Sequence, residues 1–462
     1  MGVLNLLPTL AAGRVKAGRA GIDALGVAAF TVSTGLMLTV VGGYRMFAGR
    51  ESAPPAPYLE SFGANTDYAA AMLPSWTFLA VGAAILLIVP MVTLAGAAAR
   101  MGALGRDRRL AALRLLGSSG RDVVLLTAVE TMALAAIGSL LGTLGYLLSL
   151  PLWAAVRFQN TPIGASEMLL PAGWIAAVVL AVILLAGVAG ALGLRQVVIS
   201  PLGVARRAGK PRLRWLRLLA VPAVMAITLA GSQLLNLRQD LVMAFLFIYV
   251  GLTLFMGVIN LVGPWVVQFV GLLLTRAGRP AALIAGRRLL DDPRAAWRPV
   301  AGLAFVGFTA ATIASIPLVP EGADDPYFAI MAADLRTGLA LTTVIAFVVA
   351  ATSTALNQVV GVLDRRTELI QLDHTGAPRV LQNRVRLLEV LTPTLLAAVG
   401  SAGLGWFFFA VVLSSSQLAS DPAALGLLGA LLAVGIALVW LAGEAGRPVL
   451  RSVLVHQGPR VD

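Results

Sequence analysis

DRRLAALRLLGSSGRDVVLLTAVE, residues 107–130, returns in altered form as DRRTELIQLDHTGAPRVLQNRVRLLE, residues 364–389. Asp107-Arg108-Arg109 aligns with Asp364-Arg365-Arg366, Gly117 with Gly376, and Glu130 with Glu389. Gly and Glu are 13 residues apart in both copies, and the second has two more residues before its Gly. Outward from each copy the chain is apolar. Stretches at about 22–45, 74–99, 122–150, 172–195, 215–235, 242–275, 298–318, 336–361, 387–413 and 423–444 each reach the ~20 apolar residues that a membrane span needs. Each copy falls between the second and third spans of a four-span group. Ala12-Gly13-Arg14 precedes the first group and Ala285-Gly286-Arg287 the second. The pattern predicts an all-α polytopic membrane protein of about ten helices. Two parallel four-span units, 1–214 and 276–462, are joined by two linker spans at 215–275.

Composition supports this class. Of 462 residues 58% are hydrophobic and only 12% charged, about half the charged share of a soluble domain. A soluble enzyme and a disordered chain are both excluded on that balance. No cysteine is present, which removes disulfides, thiolate catalysis and Cys-bound metals. The net charge of +13 is explained by topology. With a cytoplasmic N-terminus, every Lys and Arg but Arg45, Arg50, Arg157, Arg238 and Arg336 falls inside, and both termini are cytoplasmic. Nucleic-acid binding is not needed to account for the basic residues. Val3, Leu7 and Leu10, followed by Arg14, Lys16 and Arg19, predict an amphipathic helix on the inner membrane surface.

The two basic segments are predicted to be coupling helices. Each has one or two helical turns, then a Gly able to end the helix, then a short link into the next span: Gly117-Ser118-Ser119-Gly120 or Thr375-Gly376-Ala377-Pro378. Arg106, Arg108 and Arg109, or Arg365 and Arg366, would pair with carboxylates of a cytoplasmic partner. Leu113 and Leu372 lie on the same segments. Holding lipid phosphates is the alternative role for these arginines. Glu130 and Glu389 enter their spans at inner-leaflet depth, where charge is expensive. They are expected to pair with a basic residue of the adjoining segment, either as a static anchor or as a pair remade during a cycle.

These residues resemble the FtsX-like permease domain of the type VII ABC transporters. The resemblance lies in LRLLGSSGRDV followed by a span with Glu130, Gly138, Gly142 and Gly145, and in RQVVISPLGVARR at 195–207. The second copy matches less well, since Asp373-His374 stands where the family continues an apolar helix. Two fused units with two linker spans are similar to the ten-span permeases of peptide-antibiotic detoxification. The large extracellular domain that those carry between spans seven and eight is here only VPEGADDPYFAIMAADL, residues 319–335. The resemblance implies a bacterial plasma-membrane permease that exports or extracts an amphiphile, a peptide antibiotic or a lipid. ATP and Mg would be used by a separate cytoplasmic ATPase, in two copies for two coupling segments.

This chain has no P-loop: its one Gly-Lys, Gly209-Lys210, precedes Pro211 and lacks the upstream glycine. No catalytic, cofactor or metal site is expected in it. His374 and His456 stand apart, and Ser414-Ser415-Ser416 has no histidine on its side of the membrane. Asp324-Asp325 reads as a solvated acidic loop, and Gly138, Gly142 and Gly145 as a close helix contact. Two other classes stay open. An ion-coupled secondary transporter would use polar residues at mid-membrane, where Asn260, Asn357 and Gln358 are the exceptions to an apolar run. A non-transporting permease would pass ATPase motion to an outer partner. Arg used far more than Lys, with much Ala and Gly, points to a GC-rich bacterial genome.

Overall fold

The computed structural model describes residues 20–104, 120–198, 219–234, 241–314, 325–376, 378–408, 422–444 and 447. The expected N-terminal amphipathic helix and the first basic segment, with Arg106, Arg108, Arg109, Leu113 and Gly117, lie outside the described residues, as do Ser414–Ser416 and His456.

The chain is an all-α polytopic membrane protein. Among the described residues, eight helices are long and apolar enough to cross a bilayer. They fall on eight of the ten expected spans. The other two are represented by Ala220–Leu234 and Ala301–Ala314, apolar helices of 15 and 14 described residues.

The first group contains α1 (Ala20–Ser52), two short helices α2 (Ala56–Glu60) and α3 (Thr66–Met72), then α4 (Pro74–Leu104), α5 (Gly120–Ser149), the four-residue α6 (Ala165–Met168) and α7 (Ala172–Val198). Helix α1 packs on α4 and α5, and α7 packs on α5 and α4. The α1–α5 crossing depends on glycine. A Cβ on Gly142 would stand 2.5 Å from the Thr31 carbonyl oxygen, and one on Gly138 2.7 Å from that of Val27. The backbones can meet only because those side chains are absent, and Thr34 and Ser139 then share a hydrogen bond of 3.0 Å between their hydroxyls. Gly145, the third of the expected series, has nothing within 4 Å of such a Cβ and takes no part.

Helices α8 (Ala220–Leu234) and α9 (Leu241–Thr275) follow, and then the amphipathic α10 (Pro280–Asp291) and α11 (Pro293–Trp297). The second group is α12 (Ala301–Ala314), α13 (Pro326–Asp364), α14 (Arg366–His374), α15 (Arg379–Leu395), α16 (Ser401–Phe408) and α17 (Pro422–Gly443). A single π turn, Leu396–Gly400, joins α15 to α16 in mid-span, just after Pro393 has removed a backbone donor. Here α12 packs on α13 and α16, and α17 packs on α13 and α15. The α12–α16 approach again uses glycine, since a Cβ on Gly405 would stand 2.3 Å from the Phe308 carbonyl oxygen.

The groups meet mainly where α13 lies against α4, with smaller contacts of α13 with α1 and of α12 with α4. Small and branched residues fill that seam: Ala95, Ala98, Ala99, Val306, Ala346 and Val349 are buried together with Leu87 and Leu94. Leu140, Leu148, Leu180, Leu184 and Val188 face outward from α5 and α7, as a lipid-facing surface requires.

One end of the bundle carries a hairpin. Arg157–Phe158 pairs antiparallel with Thr161–Pro162 through Gln159 and Asn160, whose φ angles of 54° and 57° give the two-residue turn that matches strand twist. The buried Arg50, at the end of α1, fixes this hairpin. Its Nε and Nη2 donate to the two Glu167 oxygens at 3.1 and 2.7 Å, while Nη1 and Nη2 donate to the carbonyls of Phe158 (2.8 Å) and Pro162 (3.0 Å). Burial pushes the Glu167 carboxyl up, but the Arg50 hydrogen bonds and the Gly164 amide outweigh it and hold it below the usual carboxylate range. Asp334 of α13 accepts from the Trp76 indole N–H and the Gln159 amide, both at 2.7 Å, which joins the groups at this end.

Candidate functional site

The opposite end of α13 runs into the second basic segment. At 1.5 Å per residue, 39 residues carry α13 about 58 Å from the hairpin end. Helix α14 occupies 366–374, and Gly376, at φ +78°, takes the left-handed conformation that ends it. Pro378 then starts α15. The expected helix, glycine break and short link are therefore all present in this copy. Asp364 and Leu372 lie within α13 and α14 and Arg366 begins α14.

Glu389 sits one side of this segment, on α15. Its Oε1 accepts from Arg365 Nη1 at 3.1 Å and from Arg288 Nη1 at 3.3 Å, and Arg288 Nη2 donates to Glu368 Oε1 at 2.8 Å. Arg288 arrives on α10, a helix that turns Ala282, Ala285, Gly286 and Leu289 inward and seats Gly286 against the Gly271 carbonyl of α9. Two guanidinium and two carboxylate groups thus tie α10, α14 and α15 at one point. Burial of Arg288 disfavours its charge, yet Glu389 and Glu368 hold its pKa above the ordinary arginine value. Glu389 has the basic partner in the adjoining segment that was expected of it; the second partner, Arg288, was not foreseen. Arg365, expected to face a partner protein, makes its ion pair within the chain and is 39% exposed. Glu130, the counterpart of Glu389, is buried in α5.

Two clefts open beside this cluster. One, of about 280 Å³, is lined by Arg288, Arg365, Gln382, Arg386, Glu389 and Gln358 among others. The other, of about 520 Å³, is lined by Asn260, Arg298, Ser353 and Asn357. They share Ala295, Pro299 and Asn357, so the polar residues scattered through apolar spans converge here. Arg386, expected on the cytoplasmic side at the entry to the ninth span, is buried in α15, donating to the Gly443 carbonyl at 2.7 Å with Glu444 3.6 Å away. Gln382, one helical turn earlier, is also buried, and neither its amide nitrogen nor its oxygen has a hydrogen-bond partner.

At the other end, Asp325 caps α13 by accepting from the Tyr327 amide at 2.9 Å, and it accepts from the Tyr68 hydroxyl at 2.9 Å. Among the described residues no cluster of three or more His, Asp or Glu could hold a metal. No protein family, curated protein or solved structure matches the chain.

Proposed function

We propose that this chain is the membrane subunit of an ABC transporter of the FtsX-like kind, which exports or extracts an amphiphile such as a peptide antibiotic or a lipid. In this reading a separate cytoplasmic ATPase supplies the work, in two copies, one for each basic segment. Residues 1–214 and 276–462 act as two parallel units in a bacterial plasma membrane, with 215–275 as linker. The like packing of the two groups supports it. In each, the first helix meets the second and third, and the fourth meets the second and third.

The observation that carries the proposal is the seating of α14. A short helix lies between α13 and α15, ended by Gly376 and clamped by Glu389 and Arg288. A force on α14 is passed directly to α13, which is continuous with it in sequence, and through Glu389 to the span behind it. Buried ion pairs resist separation because each charge left alone pays its desolvation cost. The clamp therefore moves α10, α14 and α15 together. ATP binding would belong to the partner, whose surface would offer carboxylates to the Arg-rich segments.

The test is purification from the native membrane in mild detergent with an ATPase assay. A co-purifying nucleotide-binding subunit whose turnover responds to this chain is expected. Replacing Arg108-Arg109 and Arg365-Arg366 by Glu should release it. Unchanged association and turnover in that variant would remove those residues from the coupling site. The convergence of Asn260 and Asn357 on one cleft favours a second reading, an ion-coupled transporter. Proton- or sodium-driven flux in liposomes holding only this chain would establish that alternative.

A further inference from the structure

We infer that the paired clefts beside α14 bind a phosphate ester, presented as the headgroup of a membrane phospholipid. Several side chains at the clefts have hydrogen bonds that the chain leaves unmade. Buried polar groups nearly always find partners, since burying them bare costs free energy. Gln382 is 7% exposed and lines the smaller cleft, yet both ends of its amide are unpartnered. Ser353 lines the larger cleft at 2% exposure, and its hydroxyl is also unpartnered. Arg386 donates to the Gly443 carbonyl and faces Glu444 at 3.6 Å, while its Nε has no hydrogen-bond partner. Three polar groups on two helices thus await something that occupies the clefts.

The donors select what that is. Arg288 and Arg365 are answered by Glu389 and Glu368. Asp292 lines the smaller cleft and accepts from the Ala295 amide. Arg298 lines the larger cleft, is exposed, and makes no ion pair among the described residues. The unpartnered groups offer donors from Gln382, Ser353 and Arg386, with the exposed Arg298 beside them, which suits an acceptor-rich anion of phosphate type. The surroundings favour a lipid over a soluble ester. Leu289, Val300, Val360 and Val390 form apolar walls, and the clefts lie between membrane helices next to an amphipathic helix, α10. Only the identification of the leaflet as the inner one rests on the orientation proposed above; the site itself does not.

The test uses the full chain alone in detergent, with no ATPase, so it is independent of the coupling proposal. Native mass spectrometry would count bound dioleoyl phosphatidylglycerol against dioleoylglycerol, which has the same acyl chains and no phosphate. Wild type is expected to retain the phospholipid at least about tenfold better, the worth of one charge-assisted hydrogen bond. Gln382→Leu removes no bond that the chain makes, so it leaves the fold intact, and Arg298→Gln acts on an exposed side chain. Each should cut retention about tenfold, while a control at the exposed Arg336 leaves it unchanged. Glycerol 1-phosphate at millimolar concentration displacing the lipid would keep the phosphate site and assign it to a soluble ester. Equal retention of the two lipids, or no loss in either cleft variant, would overturn the inference.

Discussion

Replacing Glu389 by Gln keeps the side chain's shape and removes the charge on which α10, α14 and α15 converge. Its Oε1 lies 3.1 Å from Arg365 and 3.3 Å from Arg288, so at an effective dielectric of about 20 each gross attraction is about 5 kcal/mol. Desolvation cancels much of that, and breaking such a pair costs about 3 kcal/mol net. Arg288 and Glu389 are 13% and 16% exposed, so water screens little of it. Helix α14 is only nine residues long, too short to persist in water without its contacts. The cost should therefore appear as local opening. Amide hydrogen exchange across 366–374, measured by mass spectrometry in nanodiscs, should quicken by about a hundredfold, while α1 and α5 exchange as before. Glu368→Gln is the matched control, because Glu368 is 52% exposed and its pair is worth only about 0.5 kcal/mol, about a twofold change. If exchange in E389Q stays within threefold of wild type in a folded protein, α14 is held by something other than this charge.

Further outcomes follow from the same contacts. Glu167 has its pKa lowered by Arg50, so its contribution to stability is present above the ordinary carboxylate value and is lost as pH falls through it toward the lower folded value. Thermal unfolding followed between about pH 6 and pH 3 should show a steeper acid loss in wild type than in Glu167→Gln; parallel curves would sink the assignment. At neutral pH Arg50→Met, which strands two carbonyls and a carboxylate, should destabilise by about 2–3 kcal/mol in the same assay. Gly142→Val should cost at least about 2 kcal/mol and separate α1 from α5, while Gly145→Ala should lie within about 0.5 kcal/mol of wild type. Detergent stability by size-exclusion after heating distinguishes the two.

Much of the architecture was legible because span length and basic-residue placement are strong local signals. The ends were less so. Residues 319–335 read as an outer loop, yet α13 begins at Pro326: Asp325 as cap and Pro326 in the first turn are a helix start whose acidic setting suggested a turn. Arg379, Arg384 and Arg386 read as flanking the ninth span, yet all three lie within α15, which begins at Arg379. Arg386 is buried there because the carbonyl of Gly443, 57 residues away at the end of α17, and the following Glu444 are there to meet it. The α14 segment was recognised from its Gly-to-Glu spacing, whereas Arg288 as the second partner of Glu389 depends on a contact across 101 residues. The Arg50–Glu167 pair, 117 residues apart, has no local pattern at all. Gly138, Gly142 and Gly145 look alike in sequence. Only the position of α1 decides that two of them are necessary and the third is not.

Among the described residues, the polar contacts that join the two groups directly also sort by height, and this constrains how the molecule can move. Trp76 and Gln159 reach Asp334, Tyr68 reaches Asp325, and Tyr327 reaches Ser75, all at the hairpin end. At the α14 end the described ion pairs stay inside the second group and its preceding helix: Arg288 with Glu368 and Glu389, Arg365 with Glu389, Arg386 with Glu444. Between the ends, α13 and α4 meet over small and branched side chains that can slide without breaking a hydrogen bond. Shear between packed helices is cheap where the contact is non-directional and costly where paired polar groups must part. Among the described residues, the paired polar groups that a shear of α13 on α4 would have to part lie near Asp334, some 45 Å from the α14 end at 1.5 Å per residue.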